Sequence, residues 1–271
     1  MNKKKVAEFL EILLSLVICC VLTSLCSYGA EKLKKPTPTP TNTPMPTATP
    51  VRLRGKLLDM IANNKISVEV RGSGIDEVEL DLTRLVDEAL EVEISAGTMF
   101  LSVDGSVQNM MVVESLVVRL DLDMPSLVEA VLDVACTNMH RSIPYAHNEL
   151  EIVPAPDNQE LADLAVVLDR ADEYGIYYSF FSVIQAAIWI VTDNADFNGL
   201  GTLVSTSGGY GGFGGVRTRM ISYEDAAMAM FLVEQAGIDI TLKNIWADRY
   251  EILVDIQSTN PVLADWMYNH K

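Results

Sequence analysis

The chain has 271 residues, of which 49% are apolar, and a formal net charge of −17. This apolar fraction is sufficient for a hydrophobic core and excludes a disordered chain. Residues 1–50 hold six lysines and three acidic residues, so the remainder carries 14 basic against 34 acidic side chains, a balance of −20. Such a surface repels nucleic acid and anionic lipid, which excludes nucleic-acid binding.

Residues 1–30 have the pattern of an export segment. A basic start is followed by an apolar run from Ile12 to Cys26, which is typical of a signal peptide and is short for a membrane span. A cleaved signal peptide and an uncleaved anchor in the membrane both fit. With the lysines at positions 3–5 inside, either one places the bulk of the chain outside the cell, secreted or tethered to the surface.

Residues 31–50 form a linker. Its core, Pro36–Pro50, alternates proline with threonine and methionine, alanine or asparagine. Repeated proline prevents helix formation and favours extended polyproline II, so we predict a semi-stiff stalk. The stalk is expected to hold the remaining domain, residues 51–271, away from the membrane or wall.

The first part of this domain, about residues 65–153, has the pattern of β-structure. A short lead-in helix is predicted within residues 51–64. Seven segments then alternate apolar and polar side chains between glycines and prolines, as strands do. They are Ile66–Arg71, Val78–Leu82, Leu90–Ile94, Thr98–Val103, Gln108–Val113, Leu116–Leu122 and Leu127–Ala135. This spacing predicts an antiparallel β-sandwich or barrel.

The second part, about residues 158–271, has a helical period and predicts a small helical subdomain. Helices are expected from Leu161 to about Glu173, over Tyr177–Thr192, and from the capping residue Ser222 to Gly237. Two more are expected around residues 242–247 and 260–268. Residues 198–215 contain eight glycines and predict a loop, of which Ser207–Gly215 is either a lid over the site or a plain surface loop. The fold class expected for the whole is α+β.

Two residues carry the candidate chemistry. Cys136 is the one cysteine beyond residue 50, so it has no partner for an internal disulfide and is either a buried apolar residue or a reactive thiol. Gln185 lies in a strongly apolar helix, where a buried amide needs a partner. A hydrogen bond to neighbouring backbone is one explanation, and a reaction with Cys136 is the other.

The segments around these residues resemble the paired motifs of thioester domains in Gram-positive-type surface adhesins. The resemblance rests on Gln185-Ala-Ala-Ile-Trp189, which has the form Gln-x-Ala-x-Trp, and on the earlier Cys136. It implies a thioester between Cys136 and Gln185 at the junction of a β-sandwich and a helical part. It further implies covalent attachment to an amine-bearing partner, such as a surface protein of a host or neighbouring cell. That chemistry is a single acyl transfer, not enzymatic turnover, and requires no cofactor and no metal.

The reaction sets physical requirements on the site. A thiolate attacks the carboxamide carbon and expels ammonia, and proximity contributes an effective molarity of roughly 10⁵ M or more. The site must also be dry, because water hydrolyses the product. His140, four residues after Cys136, can take the thiol proton or assist an incoming amine, or it can be an ordinary exposed histidine.

Other readings of the same residues remain open. The main alternative is a non-covalent binding or structural domain with an inert Cys136. A cysteine–histidine hydrolase would need Cys136, a histidine, and an orienting Asn138 or Asp193. A zinc site built on Cys136, His140 and His147 lacks a fourth ligand. A calcium loop of Asn194, Asp196 and Asn198 lacks the final bidentate carboxylate, and a polar loop is the simpler interpretation.

Overall fold

A computed structural model of the chain describes residues 52–175, 181–207 and 216–270. They belong to a compact unit, Pro50–Lys271, and the fold is α+β. The predictions for the export segment and the stalk, and the lid prediction for the glycine-rich residues 208–215, fall on residues outside the described ones. The first part of the predicted loop 198–215 is not a plain loop, because it contains a short helix, Phe197–Leu200, and a strand, Val204–Ser207.

Nine strands make up the β-rich part. They are β1 Leu53–Lys56, β2 Ile66–Gly72, β3 Glu77–Arg84, β4 Leu90–Ile94, β5 Met99–Ser102, β6 Met110–Val112, β7 Leu116–Leu120, β8 Leu127–Cys136 and β9 Leu150–Val153. All seven predicted strands are present as β2 to β8. The alternation of β3 shows why, because Val78, Leu80 and Leu82 are buried while the residues between them are not.

These strands form two sheets. One has the order β2-β3-β8-β6-β5-β9 and is antiparallel throughout. The other has the order β1-β4-β7, in which β4 and β7 are antiparallel and β1 lies parallel to β4. Buried side chains from both sheets belong to one continuous hydrophobic core.

Helices and a hairpin make up most of the rest. The α-helices are α1 Leu57–Ala62, α2 Gln159–Leu168, α3 Phe181–Thr192, α4 Phe197–Leu200, α5 Tyr223–Gln235, α6 Arg249–Ile256 and α7 Pro261–Asn269. Short 3-10 helices cover Ala171–Tyr174, Ile240–Leu242 and Asn244–Asp248. Strands β10 Val204–Ser207 and β11 Val216–Arg219 pair as an antiparallel hairpin. No helix among the described residues is long and apolar enough to cross a membrane.

Helix α3 is the central helix of this part. All nine residues from Val183 to Val191 are buried, and a helix buried on every side belongs to the interior of a fold. It packs against α2, α5 and β8, which places one of its faces against an interior strand of the six-stranded sheet.

The third predicted helix is stabilised at its start as expected. The Ser222 hydroxyl oxygen accepts a hydrogen bond from the Asp225 N–H at 3.1 Å, and the Asp225 carboxylate accepts the Ser222 N–H at 2.9 Å. This reciprocal capping box pairs two backbone N–H groups that the helix itself leaves free. It fixes the first residue of α5.

The lead-in helix is shorter than predicted. Residues 53–56 form β1, and the helix begins only at Leu57. Leu57 and Met60 turn into the core, whereas β1 is largely exposed and is held by its parallel pairing with β4. A strand held by pairing instead of burial carries no alternating pattern of apolar and polar residues, so its sequence does not predict it.

Candidate functional site

Cys136 is the last residue of β8 and is completely buried. Pairing of β8 with β3 ends where Asp133 lies opposite Glu77, after which the Val134 N–H donates to the Asp76 carbonyl at 2.9 Å. Backbone groups of successive residues point to opposite sides of a strand. The N–H and C=O of Cys136 therefore point, like those of Val134, to the side on which β3 has already ended.

Gln185 occupies the place of the missing strand. The Cys136 N–H donates to Oε1 of Gln185 at 2.9 Å, and Nε2 of Gln185 donates to the Cys136 carbonyl at 2.7 Å. The Gln185 side chain is 0% exposed. The structure thus brings together the two residues that the sequence analysis paired, and it gives the buried amide a partner for both of its polar atoms.

The Cys136 sulfur lies in an apolar setting beneath the turn between β2 and β3. Its S–H donates to the Ile75 carbonyl, with 3.6 Å between sulfur and oxygen, and the sulfur lies 3.5 Å from that of Met110. Burial raises the pKa of the Cys136 thiol to about 12, with a smaller contribution from the Asp76 carboxylate. As a free group, this thiol is protonated at neutral pH and reacts slowly with external reagents.

The raised pKa makes a prediction for the free-thiol form. Between pH 9.0 and about 12, the unfolded chain has lost the Cys136 proton while the folded chain still holds it. The free energy of unfolding should therefore fall as pH rises, by up to about 1.4 kcal/mol per pH unit from this group. Urea unfolding over this range should show a steeper alkaline loss for the free thiol than for Cys136→Ala. Equal slopes would mean that no buried thiol titrates there.

A second contact ties α3 to the segment after Cys136. The Met139 N–H donates to both carboxylate oxygens of Asp193, at 3.2 and 3.3 Å, just beyond the end of α3. The Thr192 hydroxyl also donates to Asp193, at 2.7 Å. From the sequence, Asp193 is a candidate only for the orienting group of a hydrolase. Its observed role is to hold this segment at a second point, three residues past Cys136.

Neither histidine of this region is part of the site geometry. His140 is exposed and has no hydrogen bond with another described residue, and His147 is exposed and stacks on Tyr145. None of the hydrogen-bond partners of Cys136 in the described chain is a histidine. Since the pKa of Cys136 is raised, whereas catalytic thiols have lowered values, the arrangement does not favour a cysteine–histidine hydrolase.

The acidic loop after α3 uses its polar atoms internally. Oδ1 of Asn194 accepts the Asn244 N–H at 2.8 Å, and Asp196 caps α4 by accepting the Gly199 N–H at 2.7 Å. Within the described ranges, no group of three His, Cys, Asp or Glu side chains is arranged to hold a metal ion. The hydrogen bonds of Asn194 and Asp196 within the protein are those expected of a polar loop that closes α3.

Comparison with protein-family models, curated proteins and solved structures finds no match to this chain. Its function is therefore inferred from the residues of the site.

Proposed function

We propose that this chain is a cell-surface or secreted domain with an internal thioester between Cys136 and Gln185, used for covalent attachment to an amine-bearing partner. One observation carries the proposal. The carboxamide of Gln185 is held against the backbone of Cys136 by two hydrogen bonds, in a completely buried place, across 49 residues of sequence.

The geometry supports the bond-forming step. Sγ of Cys136 adds to Cδ of Gln185, the Cδ–Nε2 bond breaks, and nitrogen leaves as ammonia with the thiol proton. The Cys136 N–H on Oε1 polarises the carbonyl for this attack. The Gln185 amide pairs with the edge of β8, whereas side chains of a strand stand roughly perpendicular to the sheet. The Cys136 sulfur can therefore approach the carbonyl carbon from above or below the plane of the amide. Attack needs about 3–3.5 Å between the two atoms, and rotation about the Cα–Cβ bond of Cys136 sets that distance.

Burial supports the lifetime of the product. Gln185, Ala186 and Ala187 are all 0% exposed, so bulk water reaches the acyl carbon only when the site opens locally. A small amine enters through the same openings and outcompetes water because it is the stronger nucleophile. The raised pKa of the thiol opposes attack at neutral pH, because the thiolate is scarce. The enforced proximity counters this with an effective molarity of roughly 10⁵ M or more.

A second candidate is a non-covalent binding or structural domain with an inert Cys136. Its specific support is that both polar atoms of the Gln185 amide, and the S–H of Cys136, already have hydrogen-bond partners. In this reading Gln185 only completes the edge of β8.

Measurements of intact mass and of thiol labelling distinguish a thioester domain from a domain with an inert Cys136. A thioester makes the mature domain about 17 Da lighter than its sequence, the mass of the ammonia lost. It also blocks Cys136 from alkylation under denaturing conditions without reductant. An inert cysteine gives the full sequence mass and complete labelling, which would refute the thioester.

The setting proposed for this chemistry is the cell exterior. A signal peptide or anchor in residues 1–30, a Pro/Thr stalk in residues 31–50, and a β-sandwich followed by a helical subdomain together suit a tethered adhesin-like module. Protease treatment of intact cells should release a fragment that begins within or just after the stalk, because an exposed proline-rich linker is accessible to cleavage. Recovery of the protein solely from cytosol would contradict this setting.

A further inference from the structure

Trp189 carries a polar group that the fold leaves unused. The residue is only 2% exposed, and its indole Nε1–H is buried without a hydrogen-bond partner among the described residues. Buried donors are nearly always paired, since leaving one unpaired is destabilising. An unpaired donor in an otherwise satisfied helix therefore calls for an explanation.

An acceptor with spare capacity lies one turn away. Oε1 of Gln185 accepts one hydrogen bond, from the Cys136 N–H, although a carbonyl oxygen has two acceptor positions. No other described residue donates to it. Residues four apart lie on the same helix face, and helical side chains lean toward the preceding turn. The Trp189 indole therefore lies on the same face of α3 as Gln185, one turn further along, and its N–H makes no hydrogen bond to Oε1 in the unreacted amide.

We infer that Trp189 is a catalytic residue of the acyl transfer, with its indole N–H as the second donor of an oxyanion site. The first donor is the backbone N–H of Cys136. This inference rests on the proposed thioester. The Gln185 oxygen gains negative charge only during reaction, and donors aimed at that charge stabilise the transition state more than the ground state.

The transfer passes through a tetrahedral intermediate at Cδ of Gln185. An amine nitrogen adds to Cδ of Gln185, and the carbonyl electron pair moves onto Oε1, where the two N–H groups stabilise it. The pair then returns, the Cδ–Sγ bond breaks, and Cys136 leaves as a thiolate that takes the proton of the amine. The products are a secondary amide at Gln185 and a free thiol. An indole suits this task because it donates but cannot itself attack the acyl carbon as a hydroxyl could.

Two variants at this position test the donor. Trp189→Phe keeps an aromatic ring and removes the N–H, whereas Trp189→His keeps a ring N–H. The rate of methylamine incorporation, followed by intact mass, should fall about 100-fold in Trp189→Phe and be partly restored in Trp189→His. Trp266→Phe is the matched control, because its indole N–H donates to Glu234 in the helical part, away from the site. Its rate should match wild type.

The possible outcomes distinguish failure of the thioester proposal from failure of the donor role of Trp189. A wild-type domain without the mass deficit overturns both the thioester and the role of Trp189. If all variants show the mass deficit, either of two results overturns only the role of Trp189. One is equal rates in wild type and Trp189→Phe, and the other is a rate in Trp189→His that is the slowest of all. Trp189→Phe could show a folded circular dichroism spectrum and still lack the mass deficit. In that case, a mass deficit in Trp189→His supports the donor role, because formation of the thioester uses the same oxygen, Oε1 of Gln185. Absence of the deficit from both variants rejects that role in favour of a packing role for the indole.

Discussion

On a Cys136→Ala background, where no thioester can form, Gln185→Leu should lower the free energy of unfolding by about 2–6 kcal/mol. Leucine fills similar space but leaves the backbone N–H and C=O of residue 136 without partners in a buried place. Each unsatisfied group costs about 1–3 kcal/mol. Urea unfolding followed by circular dichroism measures the difference between the single and the double variant.

Two further variants test whether the loss of stability comes from the two hydrogen bonds of the Gln185 amide. Gln159 is exposed at the start of α2, and its Nε2 donates to Asp163, so Gln159→Leu should change stability by less than about 0.5 kcal/mol. Gln185→Glu can replace both hydrogen bonds only while protonated. Burial favours the neutral acid and raises its folded-state pKa, so its stability should be greatest in acid and should decline as pH rises through that pKa. A Gln185→Leu effect as small as the Gln159→Leu effect would show that the amide does not hold the strand edge.

The second large effect is the transfer itself. Incubation of the native domain with a small primary amine should add the mass of that amine at Gln185 and release a thiol at Cys136 that can be alkylated after denaturation. The physical reason is that a thioester is a far better acyl donor than the amide it replaces, and the amine forms a stable amide. Peptide mapping by mass spectrometry locates the adduct.

Three variants test whether the amine adduct depends on the proposed thioester. Cys136→Ala and Gln185→Glu should both abolish the adduct, since one removes the leaving group and the other the carboxamide. His140→Ala should retain it, because His140 is exposed and has no hydrogen bond with a described residue. Loss of the adduct in His140→Ala would support the assisting role that the sequence suggests for His140. An adduct in Cys136→Ala would mean that the amine reacts elsewhere.

The sequence predicted the strands well wherever one face is buried. Strands such as β3 alternate because one face meets the core. The elements it missed are held by other means. Strand β1 pairs with β4 while mostly exposed, and the hairpin β10–β11 flanks a glycine-rich segment. Helix α6 buries only Ile252 and Ile256, which is too few to set a clear helical period. Strand β9, Leu150–Val153, is an edge strand with no fully buried residue.

The sequence predicts which two residues form the site, but not how the strands and α3 place them against each other. The unusual amide in an apolar helix and the lone cysteine pointed to Gln185 and Cys136. Nothing in the sequence indicates that β3 begins at Glu77 while β8 continues to Cys136, and this mismatch in strand length creates the free edge that the amide fills. The contact of Asp193 with Met139 is likewise a product of how α3 docks, which local patterns do not specify.

The side-chain amide on the edge of β8 also constrains how the sheet can assemble. A slip of β8 by one residue against β6 would turn the N–H and C=O of Cys136 toward β6 and move its side chain to the opposite face. The position beside Gln185 would then be taken by Ala135 or Thr137, whose backbone groups would face the amide instead. A slip by two residues would likewise place Val134 or Asn138 there. Only the native register sets the Cys136 thiol beside the Gln185 amide, so formation of the thioester would also report correct alignment of the strands.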